Sequence, residues 1–247
     1  MRLLKAAATG LIALTSAGLV ACQKSTPSDN KTASTQTGNV FETGKLRAVV
    51  IGDMLPMVDE TDGKYDGFAF VVLDAIRDQL KSAPENKADD IVIEPIPIKS
   101  AQDGMNKIRS GEADIACGVA FSWERQRTLT YSLPFATSGI RVMGPKGNDG
   151  TPGSLKGKTI GVVKGSSAAA VLANSLDDAE FQFFTTPEEA LAGIKDGTVE
   201  FLGGDTLWLK ASRGASAPTA ALVPTCPCAR SSVGCVSANP TPRLLNY

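Results

Sequence analysis

The sequence predicts an α/β protein of two similar lobes, and three observations carry that prediction. Short apolar runs of strand character alternate with segments whose apolar residues recur at helical spacing. One helix–turn–strand pattern occurs twice along the chain. A passage rich in Gly, Pro, Asn and Asp, Pro145 to Gly153, separates the two copies and marks the change of lobe.

At the N-terminus, Arg2 and Lys5 precede an apolar stretch, Ala6 to Val20. It is too short and too rich in small residues for a convincing membrane span, so residues 1–21 read as an export signal. The signal ends in Leu19-Val20-Ala21-Cys22, which resembles the lipobox of bacterial lipoproteins; an ordinary signal peptide with a chance Cys is the alternative. Lipidated Cys22 would hold the mature chain at a membrane through its acyl chains without a spanning helix. Residues 22–44 are Ser, Thr, Asn, Lys and Gly with almost nothing apolar, and are expected to form a disordered tether. The expected location is the periplasm or cell surface.

Composition narrows the chemistry. The chain has 247 residues with 25 basic and 26 acidic ones, a net charge of −1. Loss of residues 1–21 removes Arg2 and Lys5 and no acidic residue, moving the balance from −1 to −3. No basic cluster points to nucleic acid. With no His anywhere, Ser-His-Asp and Cys-His nucleophile arrangements and the commonest zinc ligand are excluded. No metal or other cofactor is implied. Beyond Cys22 stand Cys117, Cys226, Cys228 and Cys235. Cys226 and Cys228 are poorly placed to bridge each other, Cys235 could pair with either, and Cys117 reads as a small hydrophobe inside a strand.

From residue 45 the elements follow in order. Leu46 to Ile51 is a buried strand, broken by Gly52, Asp53 and Pro56. Gly67 to Leu80 is a helix burying Ala69, Leu73, Ile76 and Leu80, and Ile91 to Ile98 is a strand whose prolines favour an edge. The repeated pattern comes next. Ile108 to Asp114 leads into Ile115, Ala116, Cys117 and Gly118; later Ile194 to Glu200 leads into Phe201, Leu202, Gly203 and Gly204. Each copy reads as a helix closed by Gly (Gly111, Gly197), a turn, a buried strand and Gly. Ser100 with Asp103, and Thr186 with Pro187 and Glu189, are the N-cap signatures. Ile160 to Val163 opens the second lobe as Leu46 to Ile51 opens the first.

Three stretches follow apolar strand-like runs: Ser122-Trp123-Glu124-Arg125, Gly165-Ser166-Ser167 and Gly203-Gly204-Asp205. Ligands of open α/β sheets lie outside the carboxyl ends of strands, where these stretches stand. They supply a fixed cation, small hydroxyls with backbone N–H groups, and a carboxylate, the complement of a free α-amino acid.

The order of these stations, with Gly63 to Ile76, Ser110 to Asp114 and Leu155 to Val162, resembles the family 3 extracellular solute-binding proteins. These are amino-acid-binding components of ABC importers, with the type II periplasmic-binding-protein fold. The resemblance covers roughly residues 45–247. It implies lobe 1 over 45–145, lobe 2 over 146–224, and over 225–247 a return crossover to lobe 1 that ends early. Arg125 matches the family Arg for the ligand α-carboxylate, a task suited to a bidentate fork that stays charged; a surface Arg is the alternative. Ser166 and Ser167 match the hydroxyl pair at a helix start, where an ordinary N-cap is compatible with ligand contact. Asp205 matches the partner of the α-ammonium, against the plainer reading of a turn residue. Gly118, Ala120, Met54 and Met57 complete the implied ligand wall, with core packing as the alternative for the two methionines.

Departures from the family pattern bear on specificity. Ala69 and Val71 replace two acidic residues and are expected to serve the fold; Ala120 replaces a small hydroxyl. Met54 to Met57 stand where a stacking aromatic is usual, so an apolar or adaptable side-chain pocket is expected. At the C-terminus Ser231 to Val236 resembles the returning strand and Leu244 to Asn246 a helix start, so against the family pattern the end is expected to be missing, altered or shortened. The resemblance implies a monomeric, lipid-anchored binding protein, not an enzyme, that closes on an amino acid and delivers it to an ABC permease. Its rivals are a cyclohexadienyl-dehydratase-like enzyme, with Glu60, Asp62 or Glu124 as proton donor, and a sensor or orphan binding protein.

Overall fold

A computed structural model describes residues 38–52, 54–224 and 228–238. The signal, Cys22, Cys226 and Leu244 to Asn246 lie outside the described residues. The chain begins with α1 (Gly38–Thr43), β1 (Lys45–Ile51), the hairpin β2 (Asp59–Thr61) and β3 (Lys64–Asp66), α2 (Phe68–Lys81) and β4 (Val92–Ile98). Then come α3 (Ala101–Ser110), β5 (Ala116–Ala120), α4 (Trp123–Gln126), β6 (Leu129–Tyr131) and β7 (Ala136–Gly144). The second lobe continues with α5 (Pro152–Leu155), β8 (Thr159–Val163), α6 (Ser167–Ser175), β9 (Glu180–Phe184), α7 (Pro187–Asp196) and β10 (Phe201–Asp205). It ends with α8 (Thr206–Ser216) and β11 (Ala221–Val223), and β12 (Ala229–Ala238) returns to the first lobe.

The local signals act where the sequence places them. The α2 helix buries Ala69, Leu73, Ile76 and Leu80. The Ser100 hydroxyl accepts from the Asp103 N–H, and Thr186 and Glu189 form a reciprocal capping box. Gly111 and Gly197 close α3 and α7 in the left-handed conformation at φ 75° and 83°. The proline-bearing β4 pairs in parallel with β1 and, among the described residues, with no other strand, so it is an edge.

Two long antiparallel strands join the lobes. The start of β7 pairs with the start of β12, Ala136 opposite Val233 through Ile140 opposite Ala229. Farther along, β7 joins the second-lobe strands β10 and β11, whereas β12 joins the first-lobe strands β5 and β6. Parallel β9, β8 and β10 complete the second lobe. Where β12 meets β5 the register skips Gly118, leaving an extra residue on β5. Its φ is 86°, and a Cβ there would lie 3.2 Å from that of Met57, so glycine suits both the turn and the space.

Three expectations need correction. Residues 38–44 are not tether: α1 carries Val40, 1% exposed, into the first-lobe core with Phe41 against it. Burial of those two side chains offsets the entropy of ordering this short turn. Cys235 pairs with neither Cys226 nor Cys228, and Cys117 is not a free thiol. The two form a disulfide, with Cα atoms 4.0 Å apart, because the shifted register sets them opposite each other on β12 and β5. Cys228 is free and exposed. Val71 serves no core, being 60% exposed on α2, while Ala69 is buried.

Candidate functional site

A cavity of about 170 Å³ lies between the lobes. It brings together Arg125, Ser166, Ser167, Asp205, Gly118, Ala120, Met54 and Met57. Glu60, Asp62 and Glu124 are not among its lining residues.

From the first lobe, β5 carries the bulge at Gly118, and the short α4 that follows it presents Arg125. The Arg125 guanidinium donates from Nη1 to the Ala120 carbonyl at 3.2 Å. From Nη2 it crosses the cleft to the Gly165 carbonyl at 2.7 Å. Gly165 holds φ at 75°, a left-handed turn that ends β8 and starts α6. The Tyr131 hydroxyl donates to the same Ala120 carbonyl at 3.1 Å, so two donors fix this point of the wall. Burial raises the Tyr131 phenol above its ordinary value, and the nearby Arg125 opposes that rise.

Met57 is held by the start of α2, whose first N–H groups bond to loop carbonyls: Phe68 to Pro56 at 3.0 Å and Ala69 to Met57 at 2.9 Å. Met57 is 9% exposed and belongs to the first-lobe core while also lining the cavity. Met54 is partly buried and packs against the cores of both lobes. Leu207, at the start of α8, reaches the first-lobe core from the other side. The lobes therefore meet through apolar contacts as well as through Arg125.

From the second lobe, Ser166 is the N-cap of α6, its hydroxyl accepting from the Ala169 N–H at 3.1 Å. This helix start faces the cavity and favours negative charge there. Asp205 caps α8 through the Leu207 N–H at 2.9 Å. It also ties the crossover strands, accepting from Ser138 of β7 on Oδ1 and from Ser231 of β12 on Oδ2, the latter at 2.8 Å. Three donors thus converge on its oxygens. A carboxylate has roughly four lone-pair positions, which leaves room for a further donor. The turn-residue and ligand-wall readings of Asp205 are compatible.

Sequence reasoning missed Tyr131, Ser138, Ser231, Leu207 and Trp208, the last lining the cavity with Leu207. Ser138 and Ser231 reach Asp205 only through strand pairing across 67 and 26 residues, and no local motif announces them. Leu207 and Trp208 directly follow Asp205-Thr206, so the helix start after the acidic station was a usable signal.

No protein-family model matches the chain. The probable amino-acid-binding protein YxeM of Bacillus subtilis is 26% identical over 177 residues, 70% of this chain and 61% of that protein. The virulence sensor protein BvgS of Bordetella pertussis is 25% identical over 142 residues, 57% of this chain. The match spans 11% of the sensor's length. Among solved structures, the solute receptor for L-cysteine of Neisseria gonorrhoeae superposes with a TM-score of 0.74 at 22% identity, covering 85% of this chain and 84% of that one. The Gly52Ala mutant of arginine-bound ArgBP from T. maritima gives 0.74 at 16% identity, covering 84% and 93%. The chain has the two-lobed type II periplasmic-binding-protein fold, and its resemblance is to the family 3 extracellular solute-binding proteins.

Proposed function

We propose that this chain is an exported binding protein, anchored through lipidated Cys22, that captures an α-amino acid between its lobes and delivers it to an ABC importer. The observation that carries this reading is the charge pattern of the cavity. Among the described residues its lining holds a single cation, Arg125, from one lobe and a single carboxylate, Asp205, from the other, with the α6 start beside them. Arg125 and the α6 N–H groups take the ligand α-carboxylate; Asp205 takes one N–H of the α-ammonium. Because the charges come from opposite lobes, only the closed form completes the site, and ligand binding stabilises closure.

The proposed boundaries remain residues 45–145 and 146–224 for the lobes, with α1 added to the first and 225–247 as the return crossover. A carboxylic acid that donates a proton would be needed for a dehydratase, and none of the candidate acids lines the cavity. The match to BvgS favours one second reading, a sensory role for the same binding event. Calorimetric titration of the purified chain with α-amino acids tests the binding reading. Arg125→Ala is expected to weaken binding on the order of a hundredfold, as loss of one partner of a desolvated charge pair does. Equal affinity of wild type and variant would reject it. Loss of ligand uptake on deletion of the gene separates importer from sensor.

A further inference from the structure

Resting on the amino-acid reading above, we infer that the site selects ligands with a neutral, apolar side chain of moderate size and excludes basic, acidic and amide side chains. Among the described residues, Arg125 and Asp205 are the only charged ones lining the cavity, and both are assigned to the ligand's backbone groups. The remaining lining side chains with polar atoms other than sulfur are Ser166, Ser167 and the indole of Trp208. Ser166 is engaged as the α6 cap, and Ser167 opens the same helix, at the carboxylate end of the site. Away from the charged residues and serines the wall is Met54, Met57, Met105, Ile98, Leu207 and the Trp208 indole. Met105 is 6% exposed, and Met54 and Leu207 line the cavity from opposite lobes.

A guanidinium, ammonium or carboxylate placed against that wall loses its hydration and meets no opposite charge. The penalty corresponds to on the order of a thousandfold in affinity or more. Each methylene buried there instead improves affinity about fourfold. Size sets the upper limit. The volume of about 170 Å³ is slightly larger than an apolar cavity of about 150 Å³ that takes up benzene, which suits a ligand of about nine heavy atoms, such as free leucine, isoleucine or methionine. The flexible thioethers of three methionines let the wall fit branched and unbranched chains alike.

Titration calorimetry of the purified chain against leucine, methionine, valine, glycine, glutamine, glutamate and arginine tests the inference. Leucine or methionine is expected to bind at least a hundredfold tighter than arginine, glutamate or glutamine, and at least thirtyfold tighter than glycine. Arginine, glutamate or glutamine binding as tightly as leucine overturns the inference and leaves the amino-acid reading intact. Absence of binding by every amino acid to folded protein overturns both. Met54→Ala supplies the local test: leucine affinity should fall about tenfold more than glycine affinity. An equal fall for both would overturn the assignment of Met54 to the side-chain wall.

Discussion

At matching places in the two repeated units stand Asp114 and Glu200, and each carboxylate reaches back to a cation at the strand that opens its lobe. Asp114 is buried, and it takes Arg47 at two points, 2.6 Å from Nη2 and 3.0 Å from Nε, with the Arg47 backbone N–H at 2.9 Å besides. Glu200 meets Lys158 at one point, 2.9 Å away, and both side chains are more than 40% exposed. Farther along the same units the weighting reverses. The first copy brings apolar Val119 to the cleft after Gly118, and the second brings Asp205 after Gly204. One local design thus places its indispensable carboxylate under the fold in the first lobe and at the site in the second.

The disulfide makes the first lobe still more dependent on its own fastening, because β12 is its last described strand and Cys235 anchors it to β5. The bridge closes a span of 118 residues that contains the whole second lobe. By chain entropy such a closure contributes about 3–5 kcal/mol. Chemical denaturation with and without reductant should show a loss of that order, reproduced by Cys117→Ala combined with Cys235→Ala. Hydrogen exchange should quicken most in the end of β12 beyond Cys235, Val236 to Ala238. Unchanged stability after reduction would show that strand pairing alone fastens the lobe.

Asp114→Ala comes next. It leaves the Arg47 guanidinium, whose side chain is 23% exposed, without its partner, and strips the acceptor from the Arg47 N–H. The expected cost is about 3 kcal/mol, read as a fall in melting temperature of about 6–12 °C. The Asp114 carboxylate raises Arg47 above its ordinary value, against the burial that lowers it. In the second lobe, Asp205→Ala removes the α8 cap and is expected to cost about 1–2 kcal/mol. A double-mutant cycle with Ser231→Ala should return a coupling of at least about 0.5 kcal/mol, the signature of a direct contact.

What the sequence made legible was whatever is local. Caps at Ser100 and Thr186, the Gly111 and Gly197 stops, the buried face of α2 and the edge prolines of β4 are each decided within a few residues. That the three candidate stations share one cavity was legible because each follows a strand, and ligand clefts of α/β sheets lie at strand ends. Cys117 and Cys235 were not, since their pairing depends on a bulge at Gly118 that shifts the register of β12. The same reason hid Ser138 and Ser231: period-two alternation says which face a side chain takes, and nothing about which distant carboxylate lies on that face. Val40 and Phe41 were lost in a polar stretch because two apolar residues make no detectable period, yet they suffice to seat one helical turn.

The smallest expected effect is also the sharpest check on the contrast between the units. Glu200→Gln should destabilise the chain by only about 0.2–1 kcal/mol, since an exposed pair is screened by water and salt. The Lys158 hydrogen bond holds the Glu200 carboxyl below its ordinary range. A depressed carboxyl contributes stability above its unfolded value, about 4.3, and that contribution is lost as pH falls through the lower folded value. The difference between wild type and Glu200→Gln should therefore be present at pH 6, shrink below pH 4 and vanish in strong acid. It should also shrink in 1 M salt, where screening reaches about 3 Å. The deficit of Asp114→Ala should hold in the same salt, because its pair is sheltered. Equal salt sensitivity of the two variants would mean that burial does not separate the two lobes' ion pairs, and the contrast drawn from Asp114 and Glu200 would collapse.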